Sequence, residues 1–107
     1  MDVKSREEII KFAQKLNSTN LSPLRSGNIS LKAQNNNEEG FLITPSGKKY
    51  DSLKADDIVF VSLEGRYDEK GLQPSSEWRF HKDIYLKKAD AKAVVHAHSP
   101  HATAVSA

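Results

Sequence analysis

Four short segments with the composition of strands, each closed by turn-forming residues, constrain the fold of this chain more than any other feature. They are "NISLKA" (28–33), "FLIT" (41–44), "DIVFVSL" (57–63) and "AKAVVHAH" (91–98). In the first, Ile29 and Leu31 alternate onto one face, and the last two are rich in β-branched residues. The intervening stretches "QNNNEEG", "PSGK" and "EGRYDEKGLQP" hold the Gly, Pro, Asn and Asp that turns demand. Two further stretches carry the helical period. Ser5 and Glu8 form a capping box ahead of Ile9, Ile10, Phe12, Ala13 and Leu16, which predicts a helix over about residues 5 to 19. Pro74 and Ser75 open a second helix to about Lys88, with Trp78, Ile84 and Tyr85 on an inward side and Phe80 nearby. Pro100 predicts a third helix through "HATAVSA". The chain stops at Ala107 as that helix's apolar stripe begins, so either this is a fragment or the last helix frays.

At 107 residues there is room for at most one domain with a modest core. With 37% hydrophobic and 28% charged residues, the chain reads as soluble and globular, and no apolar run approaches bilayer length. Charges in "MDVKSREEII" occupy the place where a secretory signal needs its apolar centre, so a cytoplasmic location is expected. The absence of cysteine excludes disulfides and thiolate metal sites, which leaves His, Asp and Glu as ligands for any metal. A formal net charge of +2 with both signs interspersed gives no nucleic-acid footprint, but it leaves room for a small anionic ligand.

On a strand, His96 and His98 would point to the same side about 6.6 Å apart along the chain, close enough for both to reach one metal ion. A bare His-x-His pair is equally compatible with hydrogen-bonded or solvent-facing imidazoles. Val94 and Val95 favour burial, and a buried imidazole pair needs a reason. His101 would lie in the first turn of the third helix, where its direction is not set by spacing and an ordinary helix-start histidine is the plainer reading. Three turns offer backbone N–H groups or hydroxyls to an anion: Gly27 with Asn28, Ser46 with Gly47, and Ser75 with Ser76 at a helix start. Each alone reads as a turn or a cap. Glu77 is a first-turn carboxylate, stabilised by the helix dipole, and His81 four residues on either orients it or packs.

Taken together, "SGNIS", "GFLITPSGKKYDSL", "DIVFVSLEG", "PSSEWRFHKDIY" and "DAKAVVHAHSPHATAVSA", in this order and spacing, resemble the N-terminal half of the class II aldolase/adducin family. The resemblance runs from Ser26 to Ala107. It implies a three-layer α/β fold, with a central, largely antiparallel sheet flanked by helices, and makes residues 1–107 the N-terminal part of one such domain. It implies zinc-dependent retro-aldol cleavage of a phosphorylated ketose to dihydroxyacetone phosphate and an aldehyde. His96 and His98 would be two of three zinc ligands and Glu77 the catalytic acid/base. Gly27, Asn28, Ser46, Gly47, Ser75 and Ser76 would bind the substrate phosphate, while His101 would be no ligand. The third zinc histidine and a tail tyrosine of the family lie beyond Ala107, and the full-length assembly would be a homotetramer, with no nucleic-acid or membrane partner. Sugar-phosphate 4-epimerases and decarboxylases of the same family are alternatives, and the pair Glu77–Trp78 speaks against the epimerase. Non-catalytic adducin-like interaction modules are another, against which His96, His98 and Glu77 speak.

Overall fold

Asn36 and Asn37 reverse the chain with positive backbone φ angles of 52° and 69°, the conformation that a two-residue hairpin turn requires and that asparagine tolerates. This turn sets the antiparallel register of β1 (Asn28–Asn35) against β2 (Glu38–Ile43), with Asn35 opposite Glu38 and Ser30 opposite Ile43. The computed structural model describes residues 3–18, 28–46, 52–96 and 102–105. β3 (Val59–Ser62) pairs with the outer side of β2, and β4 (Ala93–His96) with the free side of β1. The resulting five-stranded sheet has the order β3-β2-β1-β4-β5, and every neighbouring pair is antiparallel.

The fifth strand corrects one expectation. Ala102–Val105 forms β5 beside β4, with Val95 opposite Thr103, where a third helix was expected. Thr103 and Val105 are β-branched and alternate with alanine, and β4 offers them an edge of unpaired backbone groups; a ladder on that edge satisfies more donors than a first helical turn would. His98 and His101, together with Gly27 and Gly47, lie outside the described residues.

The register sorts the side chains into two faces. Ile29, Leu31, Leu42, Phe60 and Val95 share one, where they pack with Ile9, Ala13, Leu53 and Ile58. Ile9 and Ala13 belong to α1 (Val3–Ser18), which therefore covers this side. The helix begins before Ser5, so that residue sits inside the first turn and does not cap it; a cap signal marks a helix end only to within a residue or two. Phe12 faces solvent, and the side chain of Leu16 is outside the described residues. The guanidinium of Arg6 ties α1 to the short 3-10 turn at Ala55–Asp57, donating to the carbonyl of Ala55 at 2.9 Å and to that of Ile58 at 2.5 Å.

On the opposite face Phe41, Ile43, Val59, Val61 and Val94 pack against Tyr85 and Ala91, with Trp78 and Ile84 beside them. These aromatic and aliphatic contacts come from α2 (Trp78–Lys87), and the expected inward side of Trp78, Ile84 and Tyr85 is the observed one, while Phe80 is substantially exposed. Helices thus flank the sheet on both sides, in three layers. Each fully buried Leu, Ile or Phe contributes about 1.5–3 kcal/mol, so the two faces supply most of the folding drive.

Candidate active site

The polar residues of interest cluster on the α2 face, at the end of the sheet where β1 begins and β4 finishes. Asn28 lies directly opposite His96 in the β1–β4 register, and paired residues of antiparallel strands project to the same face. Glu77 immediately precedes α2, with backbone angles of −89° and 11°, and its carboxylate makes no cap hydrogen bond. Oε2 of Glu77 instead stands 3.8 Å from Nδ1 of His96. That gap exceeds hydrogen-bond length, and Nδ1 is a buried atom with no hydrogen-bond partner. The ring of Phe80 lies beside the imidazole, tilted by 43° with centroids 5.3 Å apart. A buried nitrogen left without a partner costs free energy, and a metal ion is one partner that would satisfy it.

Residues from two of the three turns singled out in the sequence meet beside this pair. Pro45 and Pro74 form an isolated antiparallel bridge, the Ser46 N–H donates to the carbonyl of Gln73 at 2.9 Å, and the Ser75 N–H donates to that of Thr44 at 3.0 Å. Thr44, Pro45 and Ser46 are therefore stitched to the segment that starts α2. Thr44 carries the connection on to β1. Its N–H donates to the carbonyl of Ile29 at 3.1 Å, and its hydroxyl accepts from the Ile29 N–H at 3.4 Å, which brings Asn28 to the same corner. Ser75 is buried and its hydroxyl accepts from the Glu77 N–H at 3.3 Å, whereas Ser76 is exposed. Asn28, Ser46, Ser75 and Glu77, separated in sequence, are neighbours through these contacts.

His81 does not orient the Glu77 carboxylate. It is fully buried and spans two β1 side chains: Nε2 bonds Oδ1 of Asn28, and Nδ1 lies 2.7 Å from the hydroxyl of Ser30. The Ser30 hydroxyl is in turn 2.8 Å from that of Tyr85. Burial, with a smaller contribution from nearby His96, lowers the pKa of His81 to about 3, so its imidazole is neutral near pH 7. Burial also pushes the Tyr85 hydroxyl well above the usual tyrosine range, opposed in part by its hydrogen bonding with Ser30. Sequence reasoning missed Ser30, Thr44 and this network. One signal was available, since Ser30 falls on the strand face of Asn28 and His81 falls three residues after Trp78 on the helix side expected to be apolar.

The sequence from residue 7 to residue 107 matches the family model of the class II aldolase and adducin N-terminal domain. This chain belongs to that family. It is 42% identical over 103 residues to the L-fuculose phosphate aldolase of Escherichia coli K12, a match covering 96% of this chain and 46% of the relative. It is 40% identical over 101 residues to a 5-methylthioribulose-1-phosphate/5-deoxyribulose-1-phosphate aldolase of Rhodospirillum rubrum, covering 94% of this chain and 43% of that one. A solved structure of L-fuculose 1-phosphate aldolase superposes with a TM-score of 0.80 at 33% identity, over 91% of this chain and 45% of the other. The chain thus spans about half the length of the relatives it matches. Among the described residues no three His, Asp or Glu side chains form a metal-holding cluster, and no helix is long and apolar enough to cross a membrane.

Proposed function

We propose that this chain supplies the phosphate corner, the acid/base and two metal ligands of a class II aldolase that cleaves a phosphorylated ketose to dihydroxyacetone phosphate and an aldehyde. The observation that carries the proposal is the partnerless, buried Nδ1 of His96 facing Glu77 Oε2, beside the corner where Asn28, Ser46 and Ser75 meet. The names of the relatives, fuculose phosphate and ribulose-1-phosphate aldolases, share a phosphorylated ketose.

The orphaned nitrogen fits a divalent metal, and with the family resemblance the ion is zinc, held by His96, His98 and a third histidine from the part of the relatives' length that this chain does not span. When bound, zinc supplies Lewis-acid stabilisation of negative charge on the ketose oxygens. The chain's own residues do the rest. The corner of Asn28, Ser46, Ser75 and Ser76, with Gly27 and Gly47, holds the phosphate away from the reacting bond, so that its binding energy fixes the substrate in register. Glu77 sits at the mouth of α2, half-exposed, with Oε2 aimed at the His96 side and no cap bond to restrain it, placed to give and take a proton at the carbon beside the carbonyl. The homotetramer and the cytoplasmic location are part of the same reading.

The test is release of dihydroxyacetone phosphate from L-fuculose 1-phosphate and 5-deoxyribulose 1-phosphate by the full-length protein, in a coupled assay with and without a zinc chelator. Release that the chelator abolishes is expected. A rate indifferent to chelation, or a protein that binds no stoichiometric zinc, would sink the reading in favour of an adducin-like scaffold.

A further inference from the structure

Four polar side chains buried on the α2 face form one unbranched series of hydrogen bonds, Tyr85 to Ser30, Ser30 to His81, and His81 to Asn28. All four are at least nine-tenths buried, with His81 and Ser30 fully so. Distances alone leave the direction of each hydrogen open, because hydroxyls and imidazole nitrogens can play either part. One end of the series removes that freedom. The Tyr85 hydroxyl ends the series, and its hydrogen-bond partner there is Ser30 Oγ, 2.8 Å away. Its one hydrogen therefore goes to Ser30 Oγ; in the opposite direction that buried hydrogen would have no acceptor in the network. Ser30, having accepted from Tyr85, gives its hydrogen to His81 Nδ1. His81, with one ring hydrogen, then carries it on Nε2 and donates to Asn28 Oδ1.

The consequence falls on Asn28. A carboxamide is nearly symmetrical in shape but opposite in polarity at its two ends, so a half-turn would present an acceptor to an anion where a donor is needed. We propose that Tyr85, Ser30 and His81 are positioning residues, which lock the Asn28 carboxamide with its oxygen inward and its Nδ2 hydrogens turned toward an anionic ligand. The ligand part of this proposal rests on the reading of Asn28 as a phosphate-corner residue given above; the locked orientation does not.

Two measurements on the chain separate these layers. Long-range nitrogen–proton NMR correlations report which ring nitrogen of His81 carries the hydrogen. Titration with inorganic phosphate, followed through the Asn28 side-chain amide signals, reports the ligand. Nε2–H with bare Nδ1 is expected, as is phosphate binding that Ser30→Ala weakens about tenfold, the worth of one hydrogen bond to a charged group, and that Asn28→Ala weakens as much. Amide dispersion in the sheet verifies folding, and Tyr85→Phe, which removes the head of the series but keeps the aromatic packing, substitutes should Ser30→Ala not fold. Nδ1-protonated His81 in the wild type overturns the proposal. So does a folded Ser30→Ala that binds phosphate normally while Asn28→Ala does not. If Asn28→Ala itself binds phosphate normally, the phosphate reading falls, and the His81 tautomer alone decides whether the orientation is locked.

Discussion

Nδ1 of His96 and Oε2 of Glu77 face each other across 3.8 Å, one from the end of β4 and the other from the residue before α2, and neither hydrogen-bonds the other. A strand end and a helix start are rigid places from which to hold two groups at a working distance without joining them. The separation of roles between the two residues can be measured.

In the full-length protein, Glu77→Gln should lower kcat by about 10²–10⁴-fold while KM changes little, the pattern of an interaction made mainly in the transition state. Its stability cost should be about 0.3–1 kcal/mol, the worth of a carboxylate beside the positive end of a helix dipole. His96→Ala should instead lose bound zinc and activity together. Steady-state kinetics alongside metal analysis of both variants makes the comparison, and a nearly fully active Glu77→Gln would return Glu77 to the status of an ordinary helix-start residue.

The buried, neutral His81 predicts a pH dependence of stability. Its folded pKa of about 3 lies below the unfolded value of 6.5, so between those limits the unfolded chain binds more protons than the folded one. Stability is therefore complete above about pH 6.5 and falls as the pH drops toward 3, by up to about 1.4 kcal/mol per pH unit. Urea unfolding at pH 7 and pH 5 should show a lower midpoint at pH 5, and His81→Gln should shrink the difference. Equal losses in the two proteins would assign the effect to other groups.

Gly40 in β2 has no room for a side chain. A Cβ there would lie 2.2 Å from the carbonyl oxygen of Val61 and 2.9 Å from the Cα of Ser62, both backbone atoms of the neighbouring strand. Gly40→Ala must push β3 away from β2 and should cost at least the 1–3 kcal/mol or so typical of overpacking. A thermal melt within a degree or two of wild type would contradict this close approach.

The hairpin tip makes the opposite kind of prediction. Asn37 holds a φ of 69°, which costs most L residues roughly 1–2 kcal/mol. Asn37→Ala should destabilise by about 1 kcal/mol, whereas Asn37→Gly should be neutral or slightly stabilising, since Asn-Gly is the favoured pair for this turn. Chemical denaturation of the two variants gives the ordering directly.

Four of the five strands and both helices could be read from the sequence because each combines a strong period with a clear stop. Ile29 and Leu31 alternate, "FLIT" ends at Pro45, and Trp78, Ile84 and Tyr85 mark one side of a helix. β5 could not be read this way. "ATAV" is too short to show a period, and Pro100 before it is as common ahead of a helix as in an extended segment; what decides is the unpaired edge of β4, a tertiary fact. The proposed site divides similarly. Residue types and motif order pick out Glu77, His96 and the three turns, and the stitching of Ser46 and Ser75 through Thr44 agrees with grouping two of those turns. The buried series behind Asn28 depends on which strand residue meets which helix residue, and a single sequence does not carry that pairing.

The pairing of Asn28 with His96 has a kinetic side. β1 finds β2 across a two-residue turn, but it finds β4 only after the whole stretch 29–95 has been drawn into a loop, and closing long loops is what slows folding. The hairpin is available early, as local contacts are, while the corner containing both Asn28 and His96 exists only once the longest-range ladder of β1 has closed. A ligand held at that corner would therefore bind only molecules that have completed their topology, drawing the population toward them by mass action. The site doubles as a checkpoint on the fold that builds it.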